Sequence, residues 1–106
     1  MDTPKVLRKE EALNLVRRYK KVIAPRFDSS MQVVMFGSYS KGNANPWSDI
    51  DVAVIVPKIN PSTFFDTSVA LNKDVDKVSL LIEPILLENG EDSSIYREVM
   101  RTGIPV

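Results

Sequence analysis

Residues 37–52 are GSYSKGNANPWSDIDV and join a glycine–serine turn to a strand that carries two aspartates. The run Val52–Val56 is apolar and rich in β-branched residues, and it ends before Pro57, which predicts a buried strand. Because side chains alternate along a strand, Asp49 and Asp51 project from the same face, about 7 Å apart. Two like charges at the head of a buried strand repel each other, and a hard cation such as Mg²⁺ would offset that repulsion. The pair therefore indicates a metal site suited to the phosphate oxygens of a nucleoside triphosphate.

Upstream of the aspartates, the apolar run Met31–Phe36 predicts a second strand, which ends at Gly37 and Ser38. Glycine lets the backbone turn sharply and approach a ligand, and the Ser38 hydroxyl and the next backbone amides can point at phosphate. Gly42 provides a second flexible point before the aspartates. Lys41 could contact a phosphate as a point charge, although a plain surface position suits a lysine nearly as well.

The rest of the sequence predicts helices packed with a small sheet. Thr3-Pro4 and Asn60-Pro61 are plausible helix starts, and Gly103 is a plausible C-cap. We expect strands over 31–36 and 52–56 and within 78–87, and helices over 3–25, 60–74 and 92–101. The inward side chains of the two later helices are expected to be Phe64, Phe65, Val69 and Leu71, then Ile95, Val99 and Met100. The fold class is therefore α/β or α+β, with a small mixed β-sheet of three or four strands packed with helices.

The sequence resembles the signature of the DNA polymerase beta-like nucleotidyltransferase superfamily at Gly37-Ser38, Gly42, Ala44, Pro46 and Ser48-Asp49-Ile50-Asp51. The likeness is strongest to its stand-alone members, the minimal nucleotidyltransferases. A bare Asp-x-Asp or Gly-Ser pair would be weak, but these elements in this order between two strands are specific. Lys41 stands where many members carry arginine, so the charge is kept and the bidentate fork is lost.

The resemblance implies an enzyme that transfers a nucleoside monophosphate, AMP from ATP, to a hydroxyl of an acceptor. In the family's scheme, Asp49 and Asp51 would hold two Mg²⁺ ions about 3.5 to 4 Å apart. The nucleotide-binding residues that it implies are Gly37, Ser38, Lys41 and Ser48. With no histidine in the chain, a carboxylate would have to act as any general base.

The family scheme needs a third carboxylate on the neighbouring strand, and the candidates are Asp76, Glu83 and Glu88. Glu83 is the only charge inside a segment that otherwise has the pattern of a buried strand, which is costly unless something pairs with it. Ile82-Glu83 also resembles the family's hydrophobic-carboxylate pattern. Val78-Ser79-Leu80 resembles the same pattern with serine in the carboxylate's place, which would leave the site one ligand short. We expect Glu83 to be the third ligand.

Larger relatives use a second domain to hold base and acceptor, and 106 residues predict only one domain, 1–106. The resemblance therefore implies a partner, because minimal nucleotidyltransferases often pair with a small all-helical HEPN-type protein, as antitoxin with toxin. A competing interpretation is a non-catalytic module that binds a nucleotide or covers its partner. Intact Asp49 and Asp51 weigh against it, since a purely steric protein has no need of a like-charged pair. Homo-oligomerisation stays open.

Composition excludes several other classes. The chain is 43% hydrophobic and 26% charged, with no apolar run of membrane-spanning length and no signal-peptide pattern, so we expect a cytoplasmic protein. The absence of cysteine and histidine removes disulfides and zinc. A net charge of zero argues against a polymerase or tRNA-adding enzyme and leaves nucleic acid only as an acceptor.

Three further features are most simply explained without a function. Residues 1–26 hold eight of the fourteen basic residues, which is typical of a solvated helix face, with a surface for an acidic partner as the alternative. Trp47 is expected to pack beside the turn rather than to stack on a base. Tyr39 is expected to be an exposed hydrophobic residue.

Overall fold

The computed structural model describes residues 5–28 and 30–106, in which one mixed sheet forms the centre. The strands are β1 (Gln32–Phe36), β2 (Ile50–Val56), β3 (Ile82–Glu88) and β4 (Ile104–Pro105). The helices are α1 (Lys9–Ile23), α2 (Ser38–Lys41), α3 (Phe64–Asp74) and α4 (Ser94–Thr102). The strand order is β3-β2-β1-β4, with β2 parallel to β3 and antiparallel to β1, and with β4 antiparallel to β1. The predicted fold class, helices packed with a small mixed sheet, is confirmed.

The two faces of the sheet differ in how they are covered. Along β2, Val52 and Val54 face a core shared with α1 and α3, in which Val16, Tyr19 and Leu71 are fully buried. Ala53 and Ile55 face the other side, where they pack with Val99 of α4. Because side chains alternate along a strand, Asp51 projects on this second face. The sequence therefore directs the acidic end of β2 to the face that α4 covers.

β3 forms an edge of the sheet. The amide of Ile50 donates to the carbonyl of Leu81 at 2.8 Å, and the amide of Asn89 donates to the carbonyl of Val56 at 2.8 Å. In a parallel ladder, alternate residues of a strand hydrogen-bond to its neighbour. The backbone N–H and C=O groups of the odd-numbered residues of β3 therefore bond β2, and those of the even-numbered residues point away from β2. Pro84 is at an outward position, where its missing N–H costs no hydrogen bond to β2.

A buried carboxylate ties the end of α3 to the segment after α1. Asp74 is 2% exposed and accepts hydrogen bonds from Nε and Nη2 of Arg26 at 2.6 and 3.1 Å. The ammonium of Lys77 adds a third contact at 3.2 Å. These partners satisfy a charge that would be costly to bury alone.

The helix starts differ from the prediction. Thr3 and Pro4 lie outside the described residues, and α1 begins only at Lys9. Asn60 does not cap α3, because its side chain accepts from the amide and the hydroxyl of Ser62 and so closes a turn before the helix. Gly103 is the C-cap of α4, as predicted, and its amide donates to the carbonyl of Val99 at 2.8 Å.

Several apolar side chains are more exposed than their sequence context suggested. Phe64 is 42% exposed, Phe65 is 75% exposed and Met100 is 50% exposed, so the expectation that these three side chains point inward is wrong. Leu80 is 78% exposed, because it precedes β3 instead of belonging to it. Among the residues that the structure describes, no helix combines the length and the apolar character that crossing a membrane requires.

Candidate active site

The glycine–serine turn lies directly against the acidic strand. Gly37 follows β1 with φ of +76° and ψ of −152°, a backbone conformation that is essentially restricted to glycine. A Cβ at this position would overlap Oδ2 of Asp51. The Ser40 hydroxyl and the Lys41 amide both donate to the Gly37 carbonyl, at 2.9 and 3.1 Å, and so fix the turn. Within the described residues, the Ser38 hydroxyl makes no hydrogen bond to the protein and is available to a ligand.

Strand register brings the predicted carboxylates together. Asp51 of β2 lies opposite Phe36 on one side and opposite Glu83 of β3 on the other. A hydrogen bond shared with the Asp49 carboxyl raises the pKa of Glu83, and burial and the charges of Asp49 and Asp51 raise it further. Burial raises the pKa of Asp51, the charge of Asp49 raises it further, and the Lys41 ammonium lowers it. Three carboxyl groups therefore repel one another at this end of the sheet.

A cleft opens from these carboxylates toward α4. It has a volume of about 360 Å³, and its lining includes Asp51, Glu83, Phe36 and Ile95. Another depression of about 290 Å³ lies at the opposite end of β2, around Val56, and contains none of the predicted site residues. The cleft beside Asp51 can therefore place a substrate against the acidic groups.

A model of the nucleotidyltransferase domain family matches residues 16–100, which include the turn, the acidic strand and α4 up to Met100. The chain belongs to this family. The predicted membership among the minimal nucleotidyltransferases is confirmed. "Putative protein adenylyltransferase MJ0141" of Methanocaldococcus jannaschii is 26% identical over 98 residues, covering 91% of this chain and 99% of that protein.

Two solved structures share the fold of this nucleotidyltransferase. A "putative nucleotidyltransferase" from Sulfolobus solfataricus superposes with a TM-score of 0.68 at 21% identity, over 98% of this chain and 90% of that one. A chain of the toxin-antitoxin MntA-HepT superposes with a TM-score of 0.53 at 16% identity, over 88% of this chain and 69% of that one. At these identities the likeness concerns the fold.

The alternative third carboxylates of the nucleotidyltransferase lie elsewhere. Asp76 is exposed in the 3₁₀ turn after α3, and Glu88 is at the far end of β3, where its Oε1 accepts from the Ile59 amide at 2.8 Å. Ser79 precedes β3, and its hydroxyl accepts from the Leu81 amide at 3.2 Å. Glu83 is the candidate that lies opposite Asp51. The Glu83 side chain is exposed, whereas its sequence context suggested a charge inside a buried segment. Its place beside Asp51 follows instead from the register between β2 and β3.

Ser48, Trp47 and Tyr39 have local roles. The Ser48 hydroxyl accepts from the Asn45 amide at 2.9 Å and closes the loop that leads into Asp49. Trp47 is 78% exposed, so the expectation that it packs is wrong. Tyr39 is 4% exposed, and its hydroxyl accepts from the Leu7 amide at 3.3 Å, so the expectation of an exposed position is also wrong.

Lys41 of the turn reaches α4, a contact that the sequence did not predict. Its Nζ lies 2.7 Å from Oε1 of Glu98. Glu98 also pairs with Arg101 one turn later on α4. Both cations hold the pKa of Glu98 below its ordinary value, Lys41 through the larger effect. The turn and α4 are thus joined by an ion pair.

The donor chemistry of the site suits Mg²⁺, which prefers carboxylate oxygens and keeps positions open for phosphate. Across residues 5–28 and 30–106, however, no three side chains of the metal-ligating types converge as a preformed set. The Asp51 carboxylate lies against Gly37, whereas the Glu83 side chain is exposed. The donor types present therefore fit a divalent cation, and the three carboxylates would have to close around it on binding.

Proposed function

We propose that this nucleotidyltransferase transfers AMP from ATP to a hydroxyl of an acceptor protein, with two Mg²⁺ ions held by Asp49, Asp51 and Glu83. The hydroxyl oxygen bonds to the α-phosphorus, the bond between the α- and β-phosphates breaks, and pyrophosphate leaves. The observation that carries the proposal is the register of Asp51 opposite Glu83, directly beside the Gly37 turn. The whole chain, 1–106, is taken as one catalytic domain. A protein acceptor follows from the name of the relative from Methanocaldococcus jannaschii.

In this proposal the side chains divide into two groups. Ser38 and the amides after Gly37 bind the β- and γ-phosphates, and Lys41 adds positive charge beside them. Asp49, Asp51 and Glu83 would hold the metal ions, which would supply positive charge against the phosphates and favour ionisation of the attacking hydroxyl. Since the chain has no histidine, the hydroxyl proton passes to a carboxylate.

We also propose a small all-helical partner of the HEPN type, with this chain as its antitoxin in the cytoplasm. Support comes from the fold shared with a chain of the toxin-antitoxin MntA-HepT. The decisive experiment incubates the protein with α-labelled ATP, Mg²⁺ and the product of the neighbouring gene. Label on the neighbour supports transfer to that partner, and preference for ATP over the other labelled nucleotides supports the choice of base.

Glu83→Gln and Asp76→Asn form a matched pair of carboxylate-to-amide changes for this assay. Glu83→Gln should reduce transfer by about 100-fold or more, which corresponds to ~2.7 kcal/mol of transition-state stabilisation. Asp76→Asn should leave transfer unchanged, because Asp76 is exposed outside the cleft. Full activity of Glu83→Gln, or loss of activity in Asp76→Asn alone, would contradict the assignment.

The second candidate function is a module that binds a nucleotide without catalysis. It is favoured by the absence of a preformed set of three metal ligands in the described part of the chain. Calorimetry combined with the labelling assay separates the two candidates, because the non-catalytic module binds Mg·ATP but transfers no label to the product of the neighbouring gene. In that case Glu83→Gln should leave Mg·ATP affinity within about 3-fold of wild type, a difference of ~0.7 kcal/mol.

A further inference from the structure

We propose that Glu98 of α4 is a positioning residue that holds the Lys41 ammonium beside Asp51 for the triphosphate. The inference rests on the proposed function, because it requires Lys41 to meet the phosphates. It assigns a role to α4, which otherwise only covers the second face of the sheet.

The contact itself has the geometry of a strong ion pair. Lys41 Nζ and Glu98 Oε1 are 2.7 Å apart, and their side chains are 41% and 27% exposed. An ammonium has three N–H donors, so a bond to Glu98 leaves two for phosphate oxygens. A free lysine side chain loses rotamer entropy when it is fixed on a ligand, and the bond to Glu98 already restricts the Lys41 side chain before the ligand binds.

Glu98 is itself held in place. It pairs with Arg101, and the Thr102 hydroxyl lies 3.3 Å from its Oε1 and 3.0 Å from its backbone carbonyl. The adjacent Val99 is 1% exposed and packs on the sheet, which fixes this turn of α4. The packing of α4 on the sheet therefore positions Glu98, and Glu98 in turn positions the Lys41 side chain.

The carboxylates of Asp49, Asp51 and Glu83 explain why the Lys41 ammonium needs Glu98 as a partner. The Lys41 ammonium lies close enough to lower the pKa of Asp51. Without a competing carboxylate, three neighbouring acidic groups would attract the ammonium toward the positions that the proposed metal ions need. Glu98 draws the ammonium toward α4, so that it stays beside Asp51 without covering it.

A double-mutant cycle on Mg·ATP binding tests the inference by calorimetry. Glu98→Gln should weaken binding by about 5-fold, Lys41→Ala by more, and the double variant no further than Lys41→Ala, because Glu98 acts only through Lys41. Asp92→Asn is the matched control, since its carboxylate also pairs with an arginine of α4 at 2.7 Å but is exposed. It should leave the affinity unchanged.

The outcomes separate the inference from the function on which it rests. If Lys41→Ala weakens binding and Glu98→Gln does not, the positioning role is wrong and the proposed function stands. If Lys41→Ala leaves binding unchanged, both the positioning role and the phosphate role of Lys41 are wrong. If Glu98→Gln lowers the Mg·ATP affinity equally in the wild type and in the Lys41→Ala variant, Glu98 has a purely structural role, and the inference is wrong. Should Glu98→Gln fail to fold, Glu98→Asp keeps the charge on a shorter side chain and replaces it in the cycle, with an expected weakening below 5-fold.

Discussion

Gly37→Ala and Gly42→Ala should separate the cost of a strained backbone from the cost of a displaced carboxylate. Both glycines have left-handed φ values, +76° and +79°. Alanine in a left-handed conformation costs about 1 to 2 kcal/mol. At Gly37 the ψ of −152° places the residue in a region that is nearly restricted to glycine, where the strain reaches about 3 kcal/mol. Both variants should stay folded, since small domains have about 5 to 15 kcal/mol of stability.

The surroundings of the added methyl group differ between the two sites. At Gly42 no atom lies within 4 Å of the new Cβ, whereas at Gly37 it would overlap Oδ2 of Asp51 and lie 3.0 Å from Cγ. The Asp51 carboxylate ends a short side chain, so it moves aside and the strand stays in place. A misplacement of about 1 Å can cost 100-fold in rate, so we expect about 100-fold less transfer for Gly37→Ala.

The assay compares urea unfolding with AMP transfer for the two variants. Gly42→Ala should lose about 1 to 2 kcal/mol of stability and keep transfer within about 3-fold of wild type. Gly37→Ala should lose somewhat more stability and nearly all transfer. Similar losses of transfer in both variants would refute the reasoning, because the overlap with Asp51 exists only at Gly37.

Three further predictions follow from the same geometry. The double variant Asp49→Asn with Asp51→Asn removes a repulsion, so its free energy of unfolding in urea should equal or exceed that of the wild type. Calorimetry should detect no Mg²⁺-dependent ATP binding. Unfolding of the variant, or unchanged binding, would count against the metal site. Ser38→Ala removes one hydrogen bond to a charged phosphate, about 1.5 kcal/mol, so affinity should fall less than in Gly37→Val; equal losses would argue against a phosphate-facing turn. The Arg26 guanidinium holds the pKa of Asp74 below its ordinary value, so the ion pair stabilises the folded protein above the ordinary carboxyl pKa, and this stabilisation is lost as the pH falls through the depressed pKa. Asp74→Asn should therefore cost about 2 kcal/mol at pH 7 and progressively less below pH 4; an equal cost at pH 3 would contradict this.

The sequence predicted β1, β2 and the turn between them well, because short-range patterns specify these elements. The β-branched run of β2, the glycine at the end of β1 and the spacing of Asp49 and Asp51 each specify structure within a few residues. Gly37 was predicted as a sharp turn close to a ligand, and its positive φ agrees with that role. The confirmed fold class follows from these elements and from the alternation of helix and strand.

Errors arose where tertiary contacts or short elements decide the structure. β4 is only two residues long and includes Pro105, so no periodicity marks it, and it exists because it pairs with β1. Phe65 and Met100 have the residue type of a core but lie on helix faces that nothing covers in the described chain. The pair between Lys41 and Glu98 joins positions far apart in sequence, and no local pattern signals it.

Pro84 has a consequence for how this protein behaves at high concentration. An open sheet edge is a template on which further strands can add, and long, regular edges favour aggregation. On the free edge of β3, Pro84 removes an outward amide near the middle of the strand, so a strand added there would lack a hydrogen bond at its centre. The edge is therefore a poor nucleus for intermolecular β-structure, and association through helices or loops is favoured over extension of the sheet.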